Sequence, residues 1–122
     1  MRGWLGLGLF WLASLGLAQG YTIVSVDDLK RALANPKNFV IDVRTPQEFA
    51  QGHVPGAVNW PLQQIEHWWS RVPKDRMVYV YCNTQNRSRV AVQYLLAKGY
   101  RDLHLVTGGI QAWYARGFRV AR

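Results

Sequence analysis

Apolar positions along the chain fall into short runs separated by polar, helix-compatible segments. Residues 21–25 read as a short strand leading into a turn. Ser25 is placed to cap a helix over 26–34, with Asp27 and Asp28 in its first turn, where the helix dipole favours anions. Asn35-Pro36 ends that helix. Residues 39–43 (FVIDV) form a run of the buried-strand type. Pro46 then opens a short helix, PQEFAQ, which Gly52 closes. Residues 57–59 predict a second short strand, and 62–71 predict a helix stopped by Pro73. Residues 77–81 (MVYVY) are β-branched and aromatic, as a buried strand requires. Over 88–98 the pattern is helical, with Val90, Ala91, Tyr94, Leu95 and Ala97 recurring at helical spacing before Gly99. Residues 103–106 give a last strand, and Gly108-Gly109 leads into a final helix to Arg116. About five short strands therefore alternate with helices. That pattern predicts an α/β fold in three layers, a mainly parallel central sheet with helices on both faces. In such a sheet the working site lies at the carboxyl ends of the strands. The one cysteine, Cys82, follows the 77–81 run directly and precedes a helix.

The first twenty residues follow a different pattern. After Met1-Arg2, residues 3–18 (GWLGLGLFWLASLGLA) carry no charge. Gly16 and Ala18 put small residues at the −3 and −1 positions of a cut after Ala18, the mark of a secretory signal peptide over 1–18. Sixteen helical residues span only about 24 Å against a hydrocarbon core of ~30 Å, and four glycines weaken a permanent helix, so cleavage is favoured over anchoring. The expectation is an exported protein, periplasmic or extracellular. It touches a membrane only if this segment is retained, and residues 21–122 form a single domain.

Composition narrows the remaining possibilities. The chain has 122 residues, 49% hydrophobic and 18% charged, which excludes a disordered tail. One cysteine excludes an internal disulfide and a Cys₄ or Cys₂His₂ zinc site. The formal charge is +8, and removing residues 1–18 takes away only Arg2. No four basic residues are consecutive, so a nucleic-acid partner is not expected. A positive surface also draws small anions toward a site.

The chemistry concentrates in Cys82-Asn83-Thr84-Gln85-Asn86-Arg87-Ser88. A thiol between a strand end and a helix start faces unpaired backbone N–H groups, which favour an anion at the sulfur. Arg87 adds a positive charge on the same loop. Both effects favour a nucleophilic thiolate. Asn83, Thr84, Gln85 and Asn86, mostly through backbone N–H, together with Ser88, are the candidate groups around a bound anion. Every residue directly after Cys82 is polar, which weakens the alternative of an inert buried thiol.

Three segments resemble the rhodanese family, in particular its single-domain exported members. The first is Ile41-Asp42-Val43-Arg44 with Glu48-Phe49 and Gly52-His53-Val54-Pro55-Gly56-Ala57. The second is the strand and loop from Cys82 to Arg87. The third is Gly99-Tyr100, Leu105, Gly108-Gly109 and Trp113. The resemblance spans about residues 23–119. It implies a rhodanese-like fold and a thiosulfate sulfurtransferase that works without metal or organic cofactor. Cys82 would take the outer sulfur of an anionic donor such as thiosulfate, releasing sulfite, and hold it as a persulfide. Cyanide or a thiol would then accept it. Loop amides and Arg87 would stabilise the anionic persulfide. A monomer is expected.

Phosphatases and arsenate reductases that resemble this fold have five residues between cysteine and arginine, whereas here there are four. The shorter loop suits a sulfur atom better than a tetrahedral oxyanion. A rhodanese-like module that carries or senses sulfur without turnover stays open as an alternative. Family loops commonly have glycine three residues after the cysteine, where this chain has Gln85. Gln85 is therefore expected to strain the loop or force another conformation. Asp42 and Arg44 match the family's Asp-x-Arg pair and are read as structural, since such buried pairs hold loops together. Glu48 and His53 are read as bracing for the same region. Trp60, Trp68, Trp69 and Trp113 are assigned to the core. Adjacent Trp68 and Trp69 cannot share one helix face, so one of them is expected to be exposed.

Overall fold

The computed structural model describes residues 20–122, so the expected signal peptide over 1–18 lies outside the described residues. Five strands form one sheet: β1 (Thr22–Val24), β2 (Phe39–Asp42), β3 (Val58–Asn59), β4 (Val78–Tyr81) and β5 (Leu103–Val106). Their spatial order is β1-β5-β4-β2-β3, and every pairing is parallel. Five helices connect them: α1 (Val26–Ala32), α2 (Pro46–Gln51), α3 (Ile65–Trp68), α4 (Asn86–Ala97) and α5 (Gly109–Ala115). All strands run the same way, so their carboxyl ends meet at one edge of the sheet, as the α/β pattern predicted.

Strand alternation divides the core in two. Ile41, Val78, Val80 and Cys82 face one side, where Ile65, Trp68, Ala91, Val92 and Leu95 of α3 and α4 cover them. Val40, Tyr79 and Tyr81 face the other, under Val26 and Leu29 of α1 and Ile110 and Trp113 of α5. The helix starts follow from local chemistry. Ser25 Oγ accepts the Asp28 N–H while the Asp28 carboxylate accepts the Ser25 N–H, a reciprocal cap. Thr45 and Glu48 form the same arrangement at α2, with Pro46 at the first helical position.

Three expectations change. The helix predicted over 62–71 is broken into a 3₁₀ turn (Leu62–Gln64), the single turn of α3, and a second 3₁₀ turn (Trp69–Arg71). Side-chain donors bind backbone carbonyls at the two ends of the stretch. The Trp68 indole N–H donates to Pro61 O at 2.8 Å, and the Tyr100 hydroxyl lies 2.8 Å from Trp69 O and 2.7 Å from Val72 O. The buried face of α4 is Ser88, Ala91, Val92 and Leu95, while Val90 is 52% exposed. The stripe starts from a small polar residue lying over Cys82, so counting apolar residues alone set its phase wrongly. Neither Trp68 nor Trp69 stands free. Trp68 is buried, and Trp69 packs half-buried against the core with Lys98 Nζ 4.7 Å from its ring centre.

Candidate functional site

Cys82 follows β4 in phase with Val78 and Val80, so its side chain turns toward α4 and is only 1% exposed. The Ser88 N–H points to Sγ at 3.4 Å, and Ser88 Oγ lies 3.3 Å from it. Ser88 sits in the first turn of α4, where backbone N–H groups have no helical acceptor and turn to anions instead. The N–H groups of residues 83–87 likewise have no acceptor among the described residues. Thr84 and Asn86 are exposed, and Asn83, Gln85 and Arg87 are half-buried.

The loop is fastened to α5. Ile110 N–H donates to Cys82 O at 2.9 Å and Gln111 N–H to Asn83 O at 3.2 Å. These are early amides of α5, so two orphan donors and two loop carbonyls satisfy each other. The approach depends on Gly109, which adopts φ +53°. A Cβ there would lie 2.6 Å from Asn83 C and O and would overlap Cys82 O. Two side chains add to the fastening: Gln111 Nε2 donates to Asn83 Oδ1 at 2.9 Å, and Gln85 Oε1 accepts the Gly108 N–H at 3.1 Å.

Gln85 does not take up the positive φ that a glycine would allow. Its φ is −155°, and among the described residues only glycines have positive φ. Gln85 precedes α4 in extended φ and uses its side chain to hold the start of α5. A glycine could not supply that contact.

Arg87 turns toward α2. Its Nη1 and Nη2 meet Glu48 Oε1 and Oε2 at 2.7 and 3.0 Å, a bidentate pair about one-third exposed. Hydrogen bonds from Arg87 are the main reason the Glu48 carboxyl is held down to about 2, with the Thr45 N–H assisting against the opposing effect of burial. Glu48 in turn raises Arg87 above its ordinary value, chiefly through the same hydrogen bonds, with a smaller contribution from the Cys82 sulfur. The sulfur therefore feels the guanidinium, but as half of an ion pair. Glu48, read as bracing, both caps α2 and holds the arginine of the cysteine loop.

Asp42 and Arg44 lie on the opposite face of the sheet from Cys82. Asp42 is fully buried and receives Arg44 Nη2 at 2.7 Å, Arg44 N–H at 2.9 Å and the Tyr81 hydroxyl at 2.6 Å. Arg44 Nη2 also donates to Gly52 O at 2.8 Å, and Tyr81 Oη accepts the Val54 N–H at 3.0 Å. Every group in this network has a partner. Burial, then the Asp42 carboxylate, push the Tyr81 hydroxyl well above its ordinary range. The arrangement ties the carboxyl end of β2 to residues 52–54. His53 joins the same bracing: Nδ1 lies 2.9 Å from Phe49 O, the ring stacks on Phe49, and its backbone pairs with Ala121.

Sequence reasoning missed three participants. Thr45 was legible, since Thr-x-x-Glu before a helix is a capping signature. Tyr81 was partly legible, because a buried tyrosine seeks a hydroxyl partner and a paired strand holds Asp42 beside it. The Gly109 contact joins residues far apart in sequence and left no local signal beyond the glycine itself.

Comparison with known proteins fits this geometry. The profile of the family described as the rhodanese-like domain matches residues 25–116. The chain belongs to the rhodanese-like domain family. It is 37% identical over 98 residues to a protein of Allochromatium vinosum named sulfurtransferase, covering 80% of this chain and 92% of that one. It is 35% identical over 91 residues to the adenylyltransferase and sulfurtransferase uba4 of Ogataea parapolymorpha, covering 74% of this chain and 23% of that one. Among solved structures, a rhodanese-related protein from Thermoplasma volcanium superposes with a TM-score of 0.76 at 31% identity, covering 83% of this chain and 98% of that one. This rhodanese-like chain thus belongs to a sulfurtransferase family, with Cys82 at the edge of the sheet where α/β folds place their chemistry.

Proposed function

We propose that the protein is an exported sulfurtransferase that carries sulfane sulfur on Cys82. The observation behind this reading is the sulfur itself, buried at a strand end, with the Ser88 N–H on it and five further loop amides free to receive an anion. The Cys82 thiolate attacks the terminal sulfur of a donor such as thiosulfate. The donor's S–S bond breaks, sulfite leaves with the electron pair, and a Cys82 persulfide remains. Cyanide or a thiol then attacks the outer sulfur, the persulfide bond breaks, and the Cys82 thiolate returns. The loop amides and Ser88 stabilise negative charge on the transferred sulfur. Arg87, held by Glu48, orients the loop and lends a positive field. The four-residue spacing between Cys82 and Arg87 favours sulfur over a tetrahedral oxyanion.

The test is the intact mass of the purified protein after incubation with sulfur donor, with and without cyanide. The expected result is a gain of one sulfur atom that cyanide removes as thiocyanate, and no gain in Cys82→Ser. Thiocyanate formation by Cys82→Ser at the wild-type rate would refute the mechanism. A protein that loads sulfur but does not release it to cyanide or thiols is a carrier without turnover.

A further inference from the structure

We infer that the edge of the sheet opposite Cys82 is a docking surface for a bilayer that carries anionic phospholipid. Charge, surface chemistry and the point where the chain enters the domain carry this, independently of the sulfur chemistry.

Strand register gathers the charge. Phe39, Val78 and Leu103 lie level with one another at the amino ends of β2, β4 and β5. Lys37, Arg76 and Arg101 each stand two residues before one of them, so the parallel sheet brings three exposed cations to one edge. Lys74 and Lys98 join them, also exposed, in the turns that lead into β4 and β5. Two carboxylates, Asp75 and Asp102, oppose these five cations and leave the edge at +3. Of the five, Arg76 alone forms an ion pair among the described residues, with exposed Asp75 at 3.3 Å. Lys74, Arg76 and Arg101 line one cavity of about 170 Å³, in which Asp102 is the single acid.

The surface between the charges is amphipathic. Lys74 Nζ lies 5.0 Å from the Tyr100 ring centre, and Lys98 Nζ lies 4.7 Å from that of Trp69. Met77, next to Arg76, is 49% exposed. Cations above aromatic rings, beside an exposed apolar side chain, suit the headgroup level of a bilayer, where phosphates meet the charges and apolar groups reach below them. An acidic protein would match the charges alone.

The chain also enters here. Thr22 pairs with His104, which sets Gly20 level with the end of the 98–102 turn. Gly20 lies against Leu96, two residues before Lys98; a Cβ on it would be 2.8 Å from Leu96 Cδ1. The uncharged run 3–18 therefore joins the domain at the cationic edge. While that run is attached, this edge is the one nearest any bilayer it enters. Cys82 lies six residues beyond Arg76 along β4, about 20 Å further from the lipid at ~3.3 Å per residue.

The experiment is cosedimentation of the purified protein with vesicles of phosphatidylcholine alone, or of phosphatidylcholine and phosphatidylglycerol in equal parts. Both kinds of vesicle meet the N-terminal run equally, so the ratio between them reads the edge. Binding to the mixed vesicles is expected to be at least about tenfold tighter, and to fall steeply as salt rises past ~0.15 M. Lys74→Gln with Arg101→Gln is expected to weaken it about twenty-fivefold, since each surface cation contributes roughly fivefold. Arg89→Gln with Arg122→Gln removes the same charge elsewhere, from the start of α4 and from beside Gln51 O, and is expected to weaken it less than about threefold. Amide hydrogen exchange on mixed vesicles is expected to show new protection in the turns at 73–77 and 98–102 and none at 83–88. Equal binding to both vesicles, or equal effects of the two double variants, overturns the proposal. Tighter binding to polyglutamate than to mixed vesicles overturns the bilayer in favour of an acidic protein. Protection at 83–88 in place of the two turns overturns the orientation.

Discussion

Gly109→Ala tests the link between fold and site most directly. Gly109 has φ +53°, where an alanine costs about 1–2 kcal/mol. The new Cβ would also lie 2.6 Å from two backbone atoms of Asn83 and overlap Cys82 O, and backbone cannot turn away as a long side chain would. Relief requires α5 and the cysteine loop to part by nearly an ångström. That strains the packing by ~1–3 kcal/mol. It also weakens the Ile110–Cys82 and Gln111–Asn83 bonds, each worth about 0.5–1.5 kcal/mol. With both bonds lost the sum is about 3–8 kcal/mol, or a Tm drop beyond ~12 °C for a domain of this size. A displacement of that size at the nucleophile should slow sulfur loading about a hundredfold. Gly117→Ala is the control: it shares a positive φ, +71°, but nothing lies within 4 Å of its Cβ, so only the backbone cost of about 1–2 kcal/mol is expected. Urea unfolding and the sulfur-loading assay give both readouts. If Gly109→Ala matched Gly117→Ala in stability and loaded sulfur at the wild-type rate, the idea that α5 positions the nucleophile would be wrong.

Asp42→Asn leaves Arg44 and the Tyr81 hydroxyl facing a neutral amide inside the protein and should cost about 3–5 kcal/mol in urea unfolding; a loss under ~1 kcal/mol would contradict the buried-network reading. The Glu48 carboxyl sits at about 2, below its ordinary 4.5, so its contribution is fully present above pH 4.5 and is lost as pH falls toward 2. Glu48→Gln should therefore flatten the acid limb of the stability curve in that window, by about 1 kcal/mol after allowing for solvent screening of a partly exposed pair. An acid limb identical to wild type would show that the pair contributes nothing in solution. Ser88→Ala keeps the amide on Sγ but removes the hydroxyl at 3.3 Å, and should slow loading about tenfold with little loss of stability. An unchanged rate would mean that the amide alone suffices.

The strands were the most legible part of the chain, because a parallel sheet buried on both faces forces continuous apolar runs such as 78–81. The cysteine loop was legible too, since its polar residues sit between a strand end and a helix. What escaped was set by contacts distant in sequence. Periodicity over 62–71 looked helical, yet the Trp68 indole and the Tyr100 hydroxyl bind carbonyls at its two ends, Pro61 O and Trp69 and Val72 O. The apolar count for α4 skipped Ser88, whose place is fixed by Cys82. Arg87 could be placed on the loop but not aimed, because its partner Glu48 lies 39 residues earlier. Gln85 looked like a defect while only its backbone was considered, and its side chain proved to matter more.

The uniform direction of the strands has a practical consequence for engineering. Turns 73–77 and 98–102 connect at the amino ends of β4 and β5, whereas Cys82 stands beyond the carboxyl end of β4. A peptide inserted at 74–76, where Lys74, Asp75 and Arg76 are all exposed, enters a full strand length from the sulfur. The domain can thus be tethered or immobilised through that edge while the end of the sheet that holds Cys82 faces away from the attachment.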